Sequence, residues 1–339
     1  DTHLYGLNMV AYGFHYRVNV ESWFDDCAMY ATQPHPAPTI GTPQALGTDA
    51  IRWSFTDNSN NEAGFKVLDA ANQVRATTGP LIGTGGAGYV DEVGLAPNTP
   101  CVRTIRAYNG TLDSFSSASA TRWTLSAPPT PSNVTCSRPA GTWHATPRFE
   151  FSAVGGFGEG TVAGYRYAWN QSPSHAFTGA EPVWSTGDLL LNAASEGAWY
   201  LHVQGINGEG VANGSLDLGP YRYDADSPQN PASVQETHGA PNGAWQCSVG
   251  DPAFTWTGGS DGGSGIVGYL VYFGPDEQGT SSTTVALAAY DPDPVGTGVY
   301  YLRVRAKDAA GNEADEWATL FTLKYDSTTP DTPVVTDDG

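Results

Sequence analysis

The chain has 339 residues, of which only 15% are charged, and its formal net charge at pH 7 is −20. Lys and Arg together number 15 and form no cluster, which excludes a nucleic-acid binder and disfavours an anionic membrane surface as partner. No apolar run reaches the roughly 18–20 residues that cross a bilayer, so we expect no membrane insertion. The length predicts several domains, and 41 Gly with 24 Pro favour short strands and turns over long helices.

Residues 1–37 belong to no repeat and are strongly apolar and aromatic. Apolar and aromatic side chains occupy every second position of a predicted strand of about nine residues. We take this strand as the candidate assembly strand, with the side chains of Tyr12, Phe14, Tyr16, Val18 and Val20 on one face. A free strand of this kind would aggregate, so it needs a partner. Three alternatives stay open: packing on its own chain, addition to a neighbouring subunit as in a filament, or a remnant of an upstream domain.

Two sets of short segments recur along the rest of the chain at intervals of about 100 residues. The first is Ala63–Phe65, Ala163–Tyr165 and Val267–Tyr269, and the second is an alternating strand pattern that begins at Cys101, Trp199 and Tyr300. One immunoglobulin-like sandwich has about 100 residues. The repeats therefore predict three such sandwiches in tandem.

Aromatic strands and proline-rich joints divide the chain further. Trp53 and Trp256 lie on alternating strands and are predicted core residues, as is Trp199. Pro-rich stretches follow each repeat and predict short, stiff linkers. The predicted units are an N-terminal segment 1–37, domains 38–127, 128–227 and 228–326, and a C-terminal linker 327–339.

Two regions carry a resemblance to known families. The segment Trp53-Ser54-Phe55 through Ala63-Gly64-Phe65 resembles the B–C region of bacterial fibronectin type III domains. Residues 261–266 (Asp-Gly-Gly-Ser-Gly-Ile) and 301–312 are similar to bacterial immunoglobulin-like repeats. The resemblance implies an all-β fold of three tandem immunoglobulin-like sandwiches of the fibronectin type III type, in a secreted surface protein. It departs from the family where strand F opens, because Cys101 replaces the usual Tyr.

The four cysteines are too few for a disulfide scaffold and lack metal-ligand spacing. We prefer a disulfide between Cys27 and Cys101, which would tie the N-terminal segment to the first domain. Free buried thiols are the alternative. The low Lys content and the many Tyr and Trp residues favour an extracellular location.

The sequence offers no arrangement typical of an enzyme. The seven histidines are scattered, and neither a nucleophile elbow nor a phosphate loop occurs. His202 alternates with Leu201 and Val203, so we expect it on an exposed strand face. We expect no catalytic residues.

Calcium is the one cofactor that the sequence favours. Calcium binds oxygen ligands from Asp, Asn and backbone carbonyls in loops. The candidate carboxylates are Asp57, Asp224, Asp226, Asp291 and Asp293. None has EF-hand spacing, and a solvated turn is the alternative at each.

These features predict a non-catalytic extracellular structural protein. It would act as a surface spacer, or as a pilus-like filament subunit that assembles through its N-terminal strand. Its partners would be further copies of the chain or other surface proteins. The alternative is a carbohydrate-binding or adhesive accessory module, in which some of the ten tryptophans would stack on a glycan.

Overall fold

The computed structural model describes residues 9–11, 14–16, 35–110 and 112–334. Every regular element in these residues is a β-strand. Accordingly, no helix in the described part is long and apolar enough to cross a membrane. Strands β1 (Met9–Ala11) and β2 (Phe14–Tyr16) pair antiparallel.

The first unit packs two antiparallel sheets face to face. In one sheet β3, β4 and β8 pair with the central β5, and in the other β7, β6 and β9 lie side by side, with β10 and β11 both on β9. The strands are β3 (Thr39–Ile40), β4 (Gln44–Ala45), β5 (Ala50–Thr56), β6 (Gly64–Leu68), β7 (Val74–Thr78), β8 (Ala87–Val93), β9 (Pro100–Asn109), β10 (Leu112–Asp113) and β11 (Ala120–Trp123).

The second unit has a three-stranded sheet, β12-β14-β17, and a five-stranded sheet, β13-β19-β18-β15-β16. Its strands are β12 (Val134–Cys136), β13 (Trp143–His144), β14 (Arg148–Ala153), β15 (Gly164–Asn170), β16 (Val183–Trp184), β17 (Leu189–Asn192), β18 (Gly197–Ile206) and β19 (Ala212–Tyr223). The chain crosses from the first sheet to the second between β12 and β13, and β13 pairs parallel to β19.

The third unit repeats this topology, with sheets β20-β22-β25 and β21-β27-β26-β23-β24. Its strands are β20 (Ser233–Glu236), β21 (Trp245–Gln246), β22 (Phe254–Thr257), β23 (Ile266–Gly274), β24 (Thr284–Val285), β25 (Ala289–Tyr290), β26 (Gly298–Asp308) and β27 (Ala318–Tyr325). Here too the strand that crosses over, β21, runs parallel to the last strand, β27.

Each unit has its own apolar core between its two sheets. These cores form because successive side chains of a strand point to opposite faces of its sheet. Along β5, the side chains of Ile51, Trp53 and Phe55 are buried while their neighbours are not. The predicted core residues Trp53, Trp199 and Trp256 are all buried, as expected. The buried Trp53 indole donates to Glu92 Oε2 at 2.9 Å, which satisfies its one polar group.

The chain is thus all-β, and its three units are immunoglobulin-like sandwiches in tandem, as the sequence predicted. The boundaries of the five predicted segments stay a prediction, because strand pairing alone does not define where a domain folds independently.

The prediction for His202 was wrong. Its side chain points away from the core, yet it is 0% exposed. His202 Nδ1 lies 2.6 Å from Asp217 Oδ1, and its ring lies 5.5 Å from that of His175, in the β15–β16 connection. In the third unit Arg303 on β26 is also buried, and its Nη1 donates to Gly279 O in the β23–β24 connection. In both units this connection covers the outer face of the sheet, so alternation alone misjudges burial there.

Candidate functional sites at the two joints

The contact between the first and second units, called joint 1 here, is built from uncharged buried groups at its centre. Thr124 directly follows β11 and is 0% exposed, and Asn207 directly follows β18 and is 1% exposed. Asn207 Nδ2 donates to Thr124 O at 3.0 Å. Its Oδ1 accepts from the backbone N–H groups of Glu209 and Val211 at 3.1 and 2.9 Å. The Asn207 amide therefore ties its own loop and the preceding unit together.

Asn98 supplies a second amide that bridges joint 1. It has a φ of +46°, which Asn tolerates better than most residues. Its Nδ2 donates to Gly158 O at 2.6 Å and its Oδ1 accepts from Gly208 N at 2.8 Å. A Cβ on Gly208 would lie 2.6 Å from the Trp123 ring, so the ring rests directly on that glycine. The two units are thus in close contact through paired polar groups and one aromatic side chain.

One ion pair lies at the rim of joint 1. Arg122 Nη1 is 3.1 Å from Glu209 Oε2, with both side chains about a quarter exposed at 27%. Glu209 Oε1 also accepts from Trp123 N at 3.3 Å. Solvent screens a pair of this kind, so it contributes little to the free energy of association.

The contact between the second and third units, called joint 2 here, has three carboxylates at its centre. Asp224 directly follows β19, Asp261 lies in the β22–β23 loop, and Asp308 ends β26. One side-chain oxygen from each lies within 4.8 Å of those of the other two. Asp224 is 0% exposed and Asp308 is 1% exposed. Two units therefore contribute charge of one sign to the same buried place.

Backbone N–H groups hold these carboxylates in position. Asp224 Oδ2 accepts from Ser264 N at 2.6 Å, across the joint. Asp308 Oδ1 accepts from Gly311 N and Asn312 N, both at 2.7 Å. Asn312 Nδ2 also donates to the backbone carbonyl of Asp224 at 2.9 Å. Asn312 therefore links the Asp308 carboxylate of the third unit to the backbone of the second. A Cβ on Gly263 would lie 2.5 Å from Asp224 Cγ, so the loop must be glycine at that point.

The structure separates the five carboxylates predicted as calcium ligands. Only Asp224 joins a group of three acidic side chains. Asp226 is exposed, and its backbone N–H donates to Asp224 Oδ1 at 3.2 Å. Asp291 and Asp293 are exposed in the connection between β25 and β26. Neither Asp261 nor Asp308 was among the predicted ligands, although both lie in the segments that resemble immunoglobulin-like repeats.

Asp57 lies at the opposite end of the first unit, in the β5–β6 loop. It is 0% exposed, and its Oδ1 accepts from Ser59 N at 2.8 Å. The Ser59 hydroxyl donates to Glu62 Oε2 in the same loop. Burial raises the pKa of Asp57, and the neighbouring Glu62 carboxylate raises it further.

The remaining predicted residues fall partly outside the described residues. Cys101 is buried in the first unit and forms no disulfide with another described cysteine, and burial raises the pKa of its thiol. Cys27 lies outside the described residues, so its pairing with Cys101 stays a prediction. Of the candidate assembly strand, Phe14 and Tyr16 bound β2, which pairs with β1. This hairpin differs from the single strand predicted; Tyr12, Val18 and Val20 lie outside the described residues.

Tryptophans provide little exposed surface for stacking on a sugar. Among the nine in the described residues, only Trp245, on β21, is more than half exposed, at 58%. The side chains of the other eight are buried or half-buried. The glycan-binding alternative therefore has one exposed indole in the described part of the chain and no row of them.

No family model matches the chain, and no curated protein matches it. Solved structures do match, among them the FN1–FN3 domains of chicken CNTN1, at 14% identity and a TM-score of 0.32, covering 87% of this chain and 100% of that one. Domains A168–A170 of titin match at 17% identity and a TM-score of 0.35, covering 84% and 99%. The fibronectin(III)-like modules of Clostridium thermocellum CbhA match at 16% and 0.32, covering 60% and 100%. At these values, the fold assignment rests on strand pairing alone.

Proposed function

We propose that this chain is a non-catalytic extracellular structural protein that acts as a spacer. The observation that carries the proposal is joint 1, where two consecutive sandwiches contact each other through buried, paired polar groups. A spacer needs neighbouring units with fixed relative positions, and a freely moving linker would not provide them. Asn98 and Asn207 supply such contacts in both directions across the joint.

The proposal gives the chain no catalytic role. One described histidine–carboxylate pair is His202 with Asp217, whose Nδ1 and Oδ1 lie 2.6 Å apart. His202 is 0% exposed beneath the β15–β16 connection, so a substrate cannot reach its ring. The acidic composition, with 35 Asp and Glu against 15 Lys and Arg, supports a soluble surface-exposed role without an anionic partner.

A filament subunit is the second candidate, and it depends on residues 1–37. The alternation of apolar side chains from Tyr12 to Val20 favours it, because such a strand can pair with an exposed sheet edge of a neighbour. In that case the spacer would be one repeat of a longer assembly, and the same three sandwiches would form the body of each subunit.

Small-angle scattering and sedimentation of the purified full chain test both candidates. Three sandwiches in line predict a particle about 100 Å long, from a radius of gyration of about 13 Å for each 100-residue unit. A monomeric rod would support the spacer. Large assemblies that disappear when residues 1–37 are deleted would favour the filament. A compact particle, with its three units folded back on one another, would contradict both.

A further inference from the structure

We propose that joint 2 binds one calcium ion through the carboxylates of Asp224, Asp261 and Asp308. This assignment adds a ligand to the spacer and does not depend on its extracellular role. The ion would make the contact between the second and third units conditional on calcium, whereas the contact at joint 1 would form without it.

The distances suit one ion. The three carboxylate oxygens lie within 4.8 Å of one another. Calcium takes oxygen ligands at about 2.3–2.6 Å, so two ligands on opposite sides of the ion are about 5 Å apart. Since Asp224 belongs to the end of the second unit and the other two belong to the third, one ion would join both units.

The charge at this site needs a counterion. Asp224 and Asp308 are almost wholly buried. In the described part of the chain, no ion pair includes any of the three carboxylates, although ten others are formed there. Carboxylates that are buried without a cation are strongly unfavourable, and three of them also repel one another. A divalent cation removes both penalties.

One oxygen in the group has no partner at all. Asp261 Oδ1 is closed off from solvent and accepts no hydrogen bond from any described residue. Its other oxygen, Oδ2, accepts from Gly263 N at 3.2 Å and from Gly265 N at 2.6 Å. This orphan oxygen belongs to a group of three carboxylates, so an ion placed among the three would give it a partner. The backbone donors orient the carboxylate, as the groups behind metal ligands commonly do.

Joint 1 provides the comparison within the same chain. The residue after the last strand is Thr124 in the first unit and Asp224 in the second. The second-last strand is β18 in the second unit and β26 in the third. Asn207, directly after β18, corresponds in position to Asp308, at the end of β26. Joint 1 thus forms from neutral residues at positions where joint 2 has carboxylates. The fold therefore does not require these charges, and a ligand explains them.

The ligand chemistry selects calcium. No histidine or cysteine belongs to this group of described residues, which disfavours zinc and the softer transition metals. Carboxylates suit calcium and magnesium, but magnesium demands near-octahedral geometry and retains most of its waters. The polar recess beside Asp261, lined by Asp226, Ser227 and Ser260 among others, has room for the water or carbonyl ligands that complete a larger shell.

Calcium titration by calorimetry on the full chain, stripped with chelator, tests this assignment. Asp308→Asn gives joint 2 the residue found at joint 1, and Asp291→Asn removes an exposed carboxylate of the same unit as a matched control. The wild type and Asp291→Asn should show one site that Asp308→Asn weakens by about 100-fold or more. Circular dichroism in chelator should show that all three proteins are folded.

Gly263→Ala is the second variant, because it leaves every charge in place. Its added Cβ would lie 2.5 Å from Asp224 Cγ and displace that carboxylate. Calcium affinity should therefore fall in this variant as well. The assignment is wrong if the wild type binds no calcium, or if Asp308→Asn and Gly263→Ala both bind like the wild type. Equal affinity for magnesium chloride would overturn the choice of calcium.

Discussion

Joint 1 and joint 2 connect sandwiches of the same kind with different chemistry. At joint 1, the amides of Asn98 and Asn207 pair with backbone groups of the neighbouring unit. At joint 2, the carboxylates of Asp224, Asp261 and Asp308 converge from both units. A neutral amide can donate and accept, so it satisfies itself across an interface, whereas an ionised carboxylate only accepts. At joint 1 the two amides therefore pair directly across the contact, whereas at joint 2 the proposed calcium ion would bridge the carboxylates.

A repeated fold therefore does not imply a repeated contact between its units. Both joints place a glycine directly beneath a side chain of the preceding unit: Gly208 beneath Trp123, and Gly263 beneath Asp224. The close approach is therefore common to both joints, while the group that makes it is apolar in one and anionic in the other. We infer that the first joint is permanent and the second is conditional.

Removing the central amide of joint 1 should have the largest effect on stability. Asn207→Ala deletes three hydrogen bonds at a site that is 1% exposed, and leaves the carbonyl of the buried Thr124 without this donor. We expect a loss of about 2–4 kcal/mol in the free energy of unfolding, with or without calcium. Urea denaturation followed by tryptophan fluorescence would measure it. Asn192→Ala, at an exposed position on β17, is the control, and an equal loss there would refute this explanation.

A methyl group on the glycine of each joint separates the two kinds of contact. In Gly208→Ala the new Cβ would lie 2.6 Å from the Trp123 ring, an overpacking expected to cost about 1–3 kcal/mol. This loss should be the same in calcium and in chelator. Gly263→Ala should instead lose mainly the stabilisation that calcium adds. Thermal melts of both variants in each buffer would measure this, and identical calcium dependence would remove the proposed distinction.

The β5–β6 loop of the first unit is an intermediate case, because Asp57 is buried there and pairs with no cationic side chain among the described residues. Its raised pKa means that the folded state favours the protonated carboxyl, so this contribution is complete below the unfolded pKa of about 3.9. It is lost as the pH rises through the folded pKa. Asp57→Asn, which stays neutral, should therefore be more stable than the wild type at pH 7, and the gain should shrink towards pH 3.

Asp69 is the matched control for that pH dependence. The N–H of Gln73 lowers the pKa of Asp69, and the Arg75 side chain lowers it further, although partial desolvation acts in the opposite direction. This carboxylate stabilises the fold above its unfolded pKa and loses that effect in acid. Asp69→Asn should thus weaken the protein at pH 7. Urea denaturation at both pH values would measure the two variants, and a change of the same sign in both would contradict the assignment.

The smallest effect is expected at the rim of joint 1. Arg122→Gln breaks the partly exposed pair with Glu209 and should cost no more than about 1 kcal/mol. The loss should fall further when salt is added, because ions screen charges at a surface. Denaturation at low and high ionic strength measures it. A large, salt-independent loss would contradict this, because it would mean that Arg122 stabilises joint 1 by more than a screened surface ion pair.

The sequence predicts the sandwiches well because their cores depend on local alternation. Ile51, Trp53 and Phe55 alternate inward along one strand, and that pattern is visible without a structure. The pattern predicts which face a side chain is on, but it does not predict what covers that face. His202 shows this, since the burial of its ring depends on the β15–β16 connection, a segment with no regular period.

The carboxylates of joint 2 were only partly predictable for a related reason. Asp224 was named because it lies in an acidic linker, which is a local feature. Asp261 and Asp308 lie 37 and 84 residues further along the chain, and the three meet only when two units pack. The one sequence signal that could have found them is comparison between repeats, because Asp308 occupies the position of Asn207.

Hydrogen–deuterium exchange of the full chain, in chelator and in calcium chloride, tests the central distinction most directly. The N–H groups of Gly160 and Gly208 report on joint 1, and that of Ser264 reports on joint 2. We predict that calcium slows exchange at Ser264 and leaves the two joint 1 amides unchanged. Equal protection at Ser264 in both buffers, or a calcium response of the same size at both joints, would contradict a calcium-dependent joint 2 beside a calcium-independent joint 1.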